Sequence, residues 1–544
     1  MEVNPTIHAQ WNELLVKEKY TSILEQGILP VYLKKVRWFG GKARQIMAVK
    51  IYRYFSLPGC EDAFWVLIKV RYDGFPTEIY SLPLAFVKDF DYDTTPSEAV
   101  LAKMVQASET GFLVDAIYSA AFRNAMFDLM IKSQHIKLTD NDAFGECGQY
   151  LNAVNFSGTP LSRVLKAEQS NSSIIYGEKL FFKLFRKLEY AVNPDWEIIR
   201  FLSTETDFKY IPAFAGAISL THLEKPTMLL GMMQAMVPNQ GDAWQHFLKL
   251  VRQFYQQVMD NRAIDSAFPD KPKTLSVDLA DIPEVLKPYI DEHLEQQAKL
   301  LGQRTAEMHI ALASKDTDEN FKPEPFNRAY AIYLAENINN LVDHKMKLLA
   351  LNLDKLSAYW RDEAEDMLVE VPKIKAFFTK ALQNEFKGKR TRIHGDYHLG
   401  QVLESDGDFV ILDFEGEPDK LHNERRFKYS PLKDVSGMMR SFRYAAYAVL
   451  FNEYGNDATQ REKLMKWADQ WYHYVSRFYL GSYLKTIKNH DLIPEEEQIV
   501  TLLQLFSFEK AIYEMGYEIN NRPDWTVIPL SSLTKFVKYY LHEH

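Results

Sequence analysis

The stretch His394-Gly395-Asp396-Tyr397-His398-Leu399-Gly400-Gln401, with Phe409-Val410-Ile411-Leu412 and Asp413-Phe414-Glu415 after it, carries the chemistry that decides the fold. Asp396 sits in a loop opened by Gly395, and Gln401 follows shortly after it. Asp406-Gly407 tolerates positive φ and can turn a hairpin. The apolar strand 409–412 then delivers Asp413 to the same edge as Gln401. One hairpin therefore gathers a carboxylate able to orient and deprotonate a hydroxyl, and an amide and a carboxylate able to hold Mg²⁺. Phosphoryl transfer asks for this set, because the protein's part in it is positioning and charge stabilisation. His-Gly-Asp alone reads as a solvated hairpin with acidic ends. The whole string, with the amide and with Asp-Phe after an apolar strand, favours an ATP-dependent small-molecule kinase.

A kinase also needs a strand lysine for the α- and β-phosphates, held by a helix glutamate. In Leu180-Phe181-Phe182-Lys183-Leu184-Phe185, alternation turns Lys183 to the face opposite Phe182 and Leu184. The candidate glutamate lies in Asn193-Pro194-Asp195-Trp196-Glu197. Asn193 suits an N-cap and Pro194 a first helical position, which puts Glu197 in the first turn. The plainer alternatives are a surface strand lysine and an acid that complements the helix dipole. No Gly-x-Gly-x-x-Gly covers the phosphates. Glu168-Gln169-Ser170-Asn171-Ser172-Ser173 stands in that place, and Ser172 and Ser173 could donate to phosphate oxygens.

The chain has 544 residues, more than one ordinary hydrophobic core organises. Its net charge of −9 argues against a nucleic-acid partner, which needs a basic surface. Two cysteines, Cys60 and Cys147, are too few for a disulfide framework or a four-cysteine zinc site, and read as reduced thiols. Neither a signal peptide nor a membrane-spanning run is read, so a cytoplasmic enzyme without a membrane partner is expected. The residues up to about Tyr20 read as a helix. Strand patterns follow at 46–52, 64–72 and 77–82, with Asp73-Gly74 as a turn between the last two. Residues 110–132 carry apolar side chains at helical spacing. From about Asp242 onward the pattern is mainly helical. The expected fold class is α+β: a bilobal kinase-like fold with a β-rich N-lobe, a mainly helical C-lobe and an added N-terminal α+β cap. The expected domains are a cap at 1–90, an intermediate helical subdomain at 91–150, the N-lobe at 151–238 and the C-lobe at 239–544.

Beyond single motifs, the chain resembles the bacterial maltokinases, on the aminoglycoside-phosphotransferase-like branch of the kinase-like fold. The resemblance rests on Arg37-Trp38-Phe39-Gly40-Gly41-Lys42, Ser170-Asn171-Ser172-Ser173 with Lys183-Leu184-Phe185-Arg186, and Val192-Asn193-Pro194-Asp195. It continues through Leu301-Gly302-Gln303-Arg304-Thr305-Ala306-Glu307-Met308-His309, the His394–Gln401 and Asp413–Pro418 strings, Asp434–Phe442 and Asn521-Arg522-Pro523-Asp524-Trp525. It implies ATP and Mg²⁺ as cofactors and maltose as acceptor, giving maltose 1-phosphate for α-glucan (glycogen) synthesis from trehalose. Trehalose synthase would then be a partner. By motif position Asp396 would be the base, Gln401 and Asp413 the metal ligands, and Lys183 with Glu197 the phosphate-binding pair. The nucleotide hinge would fall at Gln234-Ala235-Met236-Val237. Gln401 replaces the asparagine usual in kinases, and Glu415 replaces a glycine, adding a carboxylate near the metal.

For the sugar, the tail offers Glu509, Lys510, Tyr513 and Glu514, with Trp525 further on. Lys510, Tyr513, Glu514 and Tyr517 share one helix face. A solvated amphipathic helix with ion pairs is the plainer reading of that face. His398 and Arg440 are further substrate candidates. His309 reads as a core histidine, and Trp38 and Phe39 as cap core. Glucosamine, glucose or another polyol remains an alternative acceptor on the same motifs, as does a non-catalytic kinase-like module.

Overall fold

The computed structural model describes residues 5–88, 96–106, 109–154, 156, 158–165, 170–271, 273–383, 385–417, 420–454 and 458–539. Glu168, Gln169 and Pro418 lie outside them. The chain divides into two compact units, 1–205 with 212–237 and 206–211 with 238–544.

The first unit is built on two sheets. In one, the long hairpin Ile46–Leu57 and Cys60–Tyr72 carries Glu78–Ser81 antiparallel to its second strand, with Leu67 opposite Ser81. Gly74 turns the chain between them at φ +69. Trp65, Val66, Leu67 and Ile68 are fully buried, so both faces of that strand are covered. The other sheet runs Ser162–Val164, Ser172–Tyr176, Leu180–Leu184, Met228–Ala235, Phe214–Leu220, Asp142–Cys147 and His135–Lys137. Its hairpin at 172–184 turns through Gly177 and Glu178, both at positive φ, and Lys179, whose N–H donates to the Tyr176 carbonyl at 3.2 Å. Straight after that hairpin, Lys187–Leu188 pairs with Glu78–Ser81, so the chain crosses from one sheet to the other.

Three expectations here are corrected. The N-terminal helix begins only at Glu18; Thr6–His8 is instead a strand parallel to Val100–Gln106, because Ile7 buries its side chain there. The stretch 91–150 is not a helical subdomain, and the helical spacing at 110–132 holds only for its second half. Val100–Gln106 and Glu109–Asp115 pair as strands, Ala120–Ile131 is the helix, and Asp142–Cys147 joins the second sheet. Tertiary pairing overrides the periodicity: Gly111 lies so close to Phe86 and the Val87 carbonyl that a Cβ would stand 2.6 Å from each.

The second unit is helical. Asp242 caps Ala243–Asp260 by accepting from the Gln245 N–H at 2.8 Å. The helices Glu292–Leu312, Leu432–Glu453, Ala458–Ile487 and Glu496–Asn521 form the core around Trp467, Trp471, Phe442 and Tyr479. The longest β interruption among the described residues is the hairpin Val402–Ser405 with Asp408–Ile411, turned by Asp406 and Gly407 at positive φ as the sequence indicates. Among the described residues no helix is long and apolar enough to cross a membrane.

Candidate functional site

The helical unit fixes the His394–Gln401 loop from below. Asp434, fully buried on the helix Leu432–Glu453, accepts the backbone N–H of His394 at 2.7 Å and of Gly395 at 3.0 Å. It also accepts from His309 Nε2 at 3.1 Å, while His309 Nδ1 meets the Tyr483 hydroxyl. His309 is thus the core histidine its sequence context suggests. Burial alone would raise the Asp434 pKa; the hydrogen bonds from His309 and Gly395 outweigh it and hold the carboxyl below its ordinary value. Gly437, one turn on, touches the loop directly: a Cβ there would stand 2.7 Å from the Tyr397 carbonyl oxygen. His394 Nε2 donates to the Leu412 carbonyl at 2.8 Å and ties the loop to the hairpin.

This scaffold places three oxygen donors together. Gln401 Nε2 donates to Asp413 Oδ2 at 3.1 Å. Asp413 sits in the left-handed region at φ +61, a strained conformation that clusters at functional sites. A carboxylate oxygen of Glu415 lies within 4.8 Å of one of Asp413. Two carboxylates and an amide at this spacing are hard oxygen donors of the kind Mg²⁺ takes, and they fit it.

Asp396 Oδ1 pairs with Lys510 Nζ at 2.9 Å. Burial would lower the Lys510 pKa, but Asp396, Glu514 and Glu417 hold it above its ordinary value. Asp396 opens onto a cavity of about 670 Å³ walled by Tyr333, Phe427, Tyr429, Glu417, Lys433, Glu509, Lys510 and Tyr513, among others. Around it charges alternate. Lys433 Nζ lies 2.8 Å from both Glu509 carboxylate oxygens and 3.8 Å from Glu417, which meets Lys420 at 2.8 Å. Burial would raise Glu417, yet Lys433 and Lys420 bring it down to about 2.

Of the expected substrate residues, Glu509, Lys510 and Tyr513 line this cavity. The others do not. Arg440 and Glu514 are held to each other, Nε to Oε2 at 3.0 Å, because both are withdrawn from solvent and neutralise one another there. His398 is spent locally: its Nδ1 accepts the Gly400 N–H at 3.1 Å and caps the short helix Leu399–Gln401. Burial lowers its pKa, against the pull of Asp396. Trp525 stacks under Arg522 at 4.3 Å. Sequence reasoning missed Asp434, Glu417 and Lys433 as site residues, although a charged residue at the start of an otherwise apolar helix was a visible signal.

The sheet-rich unit holds the remaining candidates. Lys183 is half-buried between Phe182 and Leu184, and its Nζ lies 3.4 Å from Asp195 Oδ2. Asp195 is fully buried on the helix Pro194–Glu205, whose Asn193 cap accepts from the Trp196 N–H, and Glu197 follows in its first turn. Sequence reasoning assigned the lysine to Glu197 and gave Asp195 no role. Ser172 and Ser173 are not in a loop but open the strand Ser172–Tyr176, opposite Leu184 and Lys183. Ser172 accepts from Arg186 Nε at 2.8 Å, which turns it away from a phosphate role. Ser173 Oγ is buried and has no hydrogen-bond partner among the described residues. Gln234 pairs with Phe181, and the Met236 N–H donates to the Lys179 carbonyl at 2.7 Å. Trp38 belongs to the core of the first sheet, with the Arg186 guanidinium 4.6 Å above its ring. Arg186 itself is fully buried and ion-paired to Asp115 at 2.5 Å.

Residues 32–118 match the maltokinase N-terminal cap domain. A glucosamine kinase of Streptacidiphilus jiangxiensis is 22% identical over 375 residues, 68% of this chain and 72% of that protein. The solved structure of glucosamine kinase in crystal form B superposes with a TM-score of 0.62 at 18% identity, covering 97% of this chain and 100% of that one. Glucosamine kinase in complex with glucosamine, ADP and inorganic phosphate gives 0.60 at 17% identity, over 95% and 98%. Residues 32–118 are thus similar to the maltokinase N-terminal cap domain, and the chain has the kinase-like fold of the solved glucosamine kinases.

Proposed function

We propose that this protein is a sugar kinase, and that maltose, phosphorylated at its anomeric hydroxyl, is its acceptor. The observation that carries the reading is Asp396, ion-paired to Lys510 at the mouth of a cavity lined by aromatic rings and alternating carboxylates and lysines. Aromatic faces and planar polar groups suit a sugar, and about 670 Å³ lies within the roughly 300–1,000 Å³ of small-molecule sites. Lys510 holds the Asp396 carboxylate in place, and Asp396 accepts the proton of the attacking hydroxyl. Asp413, Gln401 and Glu415 would hold Mg²⁺, which neutralises charge on the transferred phosphoryl group. In the sheet-rich unit, Lys183, set by Asp195 and supported by Glu197, binds the α- and β-phosphates of ATP. Gln234 to Met236 supply the edge for the base. The maltokinase cap domain and the glucosamine kinase relatives support a sugar as acceptor. Glucosamine is the second reading, favoured by Glu417 and Glu509, either of which could take an ammonium group. Trehalose synthase is the proposed supplier of maltose. Asp396→Asn tests the reading: ATP binding stays, while turnover falls by about 10²–10⁴-fold. Unchanged turnover would sink it.

A further inference from the structure

The helical unit holds a second cavity, of about 760 Å³, that shares no lining residue with the one at Asp396. Its charged wall consists of cations alone: Lys271, Lys273, Arg440, Arg443, Arg477 and Lys535, with no carboxylate among its described lining residues. A chain of net charge −9 does not gather six cations by composition. Three of them are neutralised from behind. Arg440 meets Glu514, while Arg443 Nη1 and Lys535 Nζ meet the two oxygens of Asp469 at 3.0 and 2.5 Å. The others are not. Among the described residues Lys271 Nζ hydrogen-bonds to a backbone carbonyl, that of Asp469 at 3.1 Å. Among the described residues Arg477 hydrogen-bonds to the carbonyls of Thr274 at 2.9 Å and His473 at 3.4 Å.

Two buried donors there also lack partners. His473 is 6% exposed and Arg443 5%, and neither His473 Nε2 nor Arg443 Nε has a hydrogen-bond partner among the described residues. Burial, with Arg477 and Lys271 beside it, brings the His473 ring down to about 2, so it stays neutral and can donate without adding charge. Burial likewise lowers Lys271 to about 8. The two buried donors, His473 Nε2 and Arg443 Nε, are costly without partners, and an anion in the cavity would offset that cost while meeting the half-buried Lys271 and Arg477. The lining also includes the apolar Leu503, Phe508 and Phe536.

We propose that this cavity is a binding site for a small organic phosphate. Its phosphoryl group sits against Lys271, Arg443 and Arg477, where guanidinium forks match phosphate oxygens, and its uncharged body lies over Phe508 and Phe536. The test is calorimetric titration of the full chain, in EDTA, with fructose 1,6-bisphosphate, and with citrate as a carboxylate control. Wild type is expected to bind the bisphosphate, Lys271→Met/Arg477→Met to bind it at least tenfold more weakly, and Lys183→Met to bind it unchanged. The cavity variant is expected to melt close to wild type without ligand, since each replaced side chain gives up bonds to backbone carbonyls and no carboxylate salt bridge. Should it fail to fold, wild type decides: pyridoxal 5′-phosphate with borohydride is expected to label Lys271, and the bisphosphate to slow that labelling severalfold. No binding by wild type, equal affinity in the folded variant, unprotected Lys271, or tighter binding of citrate would overturn the proposal.

Discussion

Asp434→Asn keeps the shape of the side chain and removes the charge that organises the His394–Gln401 loop. The carboxylate accepts from His394 N, Gly395 N and His309 Nε2. Whichever way the amide turns, its NH₂ faces at least one buried donor; the cheaper orientation gives up Gly395. A lost bond to a charged acceptor costs about 1.5–3 kcal/mol, and a donor left facing a donor adds to it, so a loss of about 2–4 kcal/mol is expected. That is a large part of a stability of roughly 5–15 kcal/mol. Gly395 precedes Asp396, so its release misplaces the proposed base, and a shift on the order of 1 Å costs about 10²-fold in rate. The pH dependence has a definite sign. The folded pKa of Asp434 is depressed, so its stabilisation is present above the unfolded value near ~3.9 and is lost as pH falls through the lower folded value. Urea melts between acid and neutral pH, with turnover measured beside them, check this. The variant should be weaker at neutral pH and show a flatter acid limb. A variant that melts and turns over like wild type would refute the anchoring role.

Gly437→Ala should lower turnover and stability together, by about 1–3 kcal/mol in the latter, because its Cβ meets the Tyr397 carbonyl; thermal melts and ATP consumption check it. Arg186→Met strands the buried Asp115 carboxylate and should cost about 3–5 kcal/mol, while Arg186→Met with Asp115→Leu should recover most of it, as denaturant titration would record. Lys510→Met frees Asp396 and opens the cavity wall. It should raise the KM for sugar and lower kcat while leaving the KM for ATP near its wild-type value, by steady-state kinetics.

The hairpins and the catalytic loop were legible because local chemistry dictates them. Asp406-Gly407 and Gly177-Glu178 turn where positive φ is tolerated, and Asn193 caps the helix that Pro194 opens. What sequence pattern misread was decided by distant pairing. Thr6–His8 is a strand because Val100–Gln106 offers it an edge, and Glu109–Asp115 is a strand because Gly111 lets Phe86 approach. The site divides in the same way. Asp396, Gln401 and Asp413 are close in sequence, so their placement on one loop and hairpin was readable, whereas the contacts of Asp434, Glu417 and Lys433 are ones that spacing does not reveal. Arg440 and Glu514 share the sequence signal of substrate residues but satisfy each other.

The most direct measurement is ADP formation with Mg²⁺ and ATP over maltose, glucosamine, glucose and other sugars, with the product identified by ³¹P NMR. Maltose-dependent turnover yielding an anomeric phosphate is predicted. Preference for glucosamine would replace the acceptor and keep the kinase, whereas the absence of Mg²⁺-dependent ADP formation with every sugar would contradict the account.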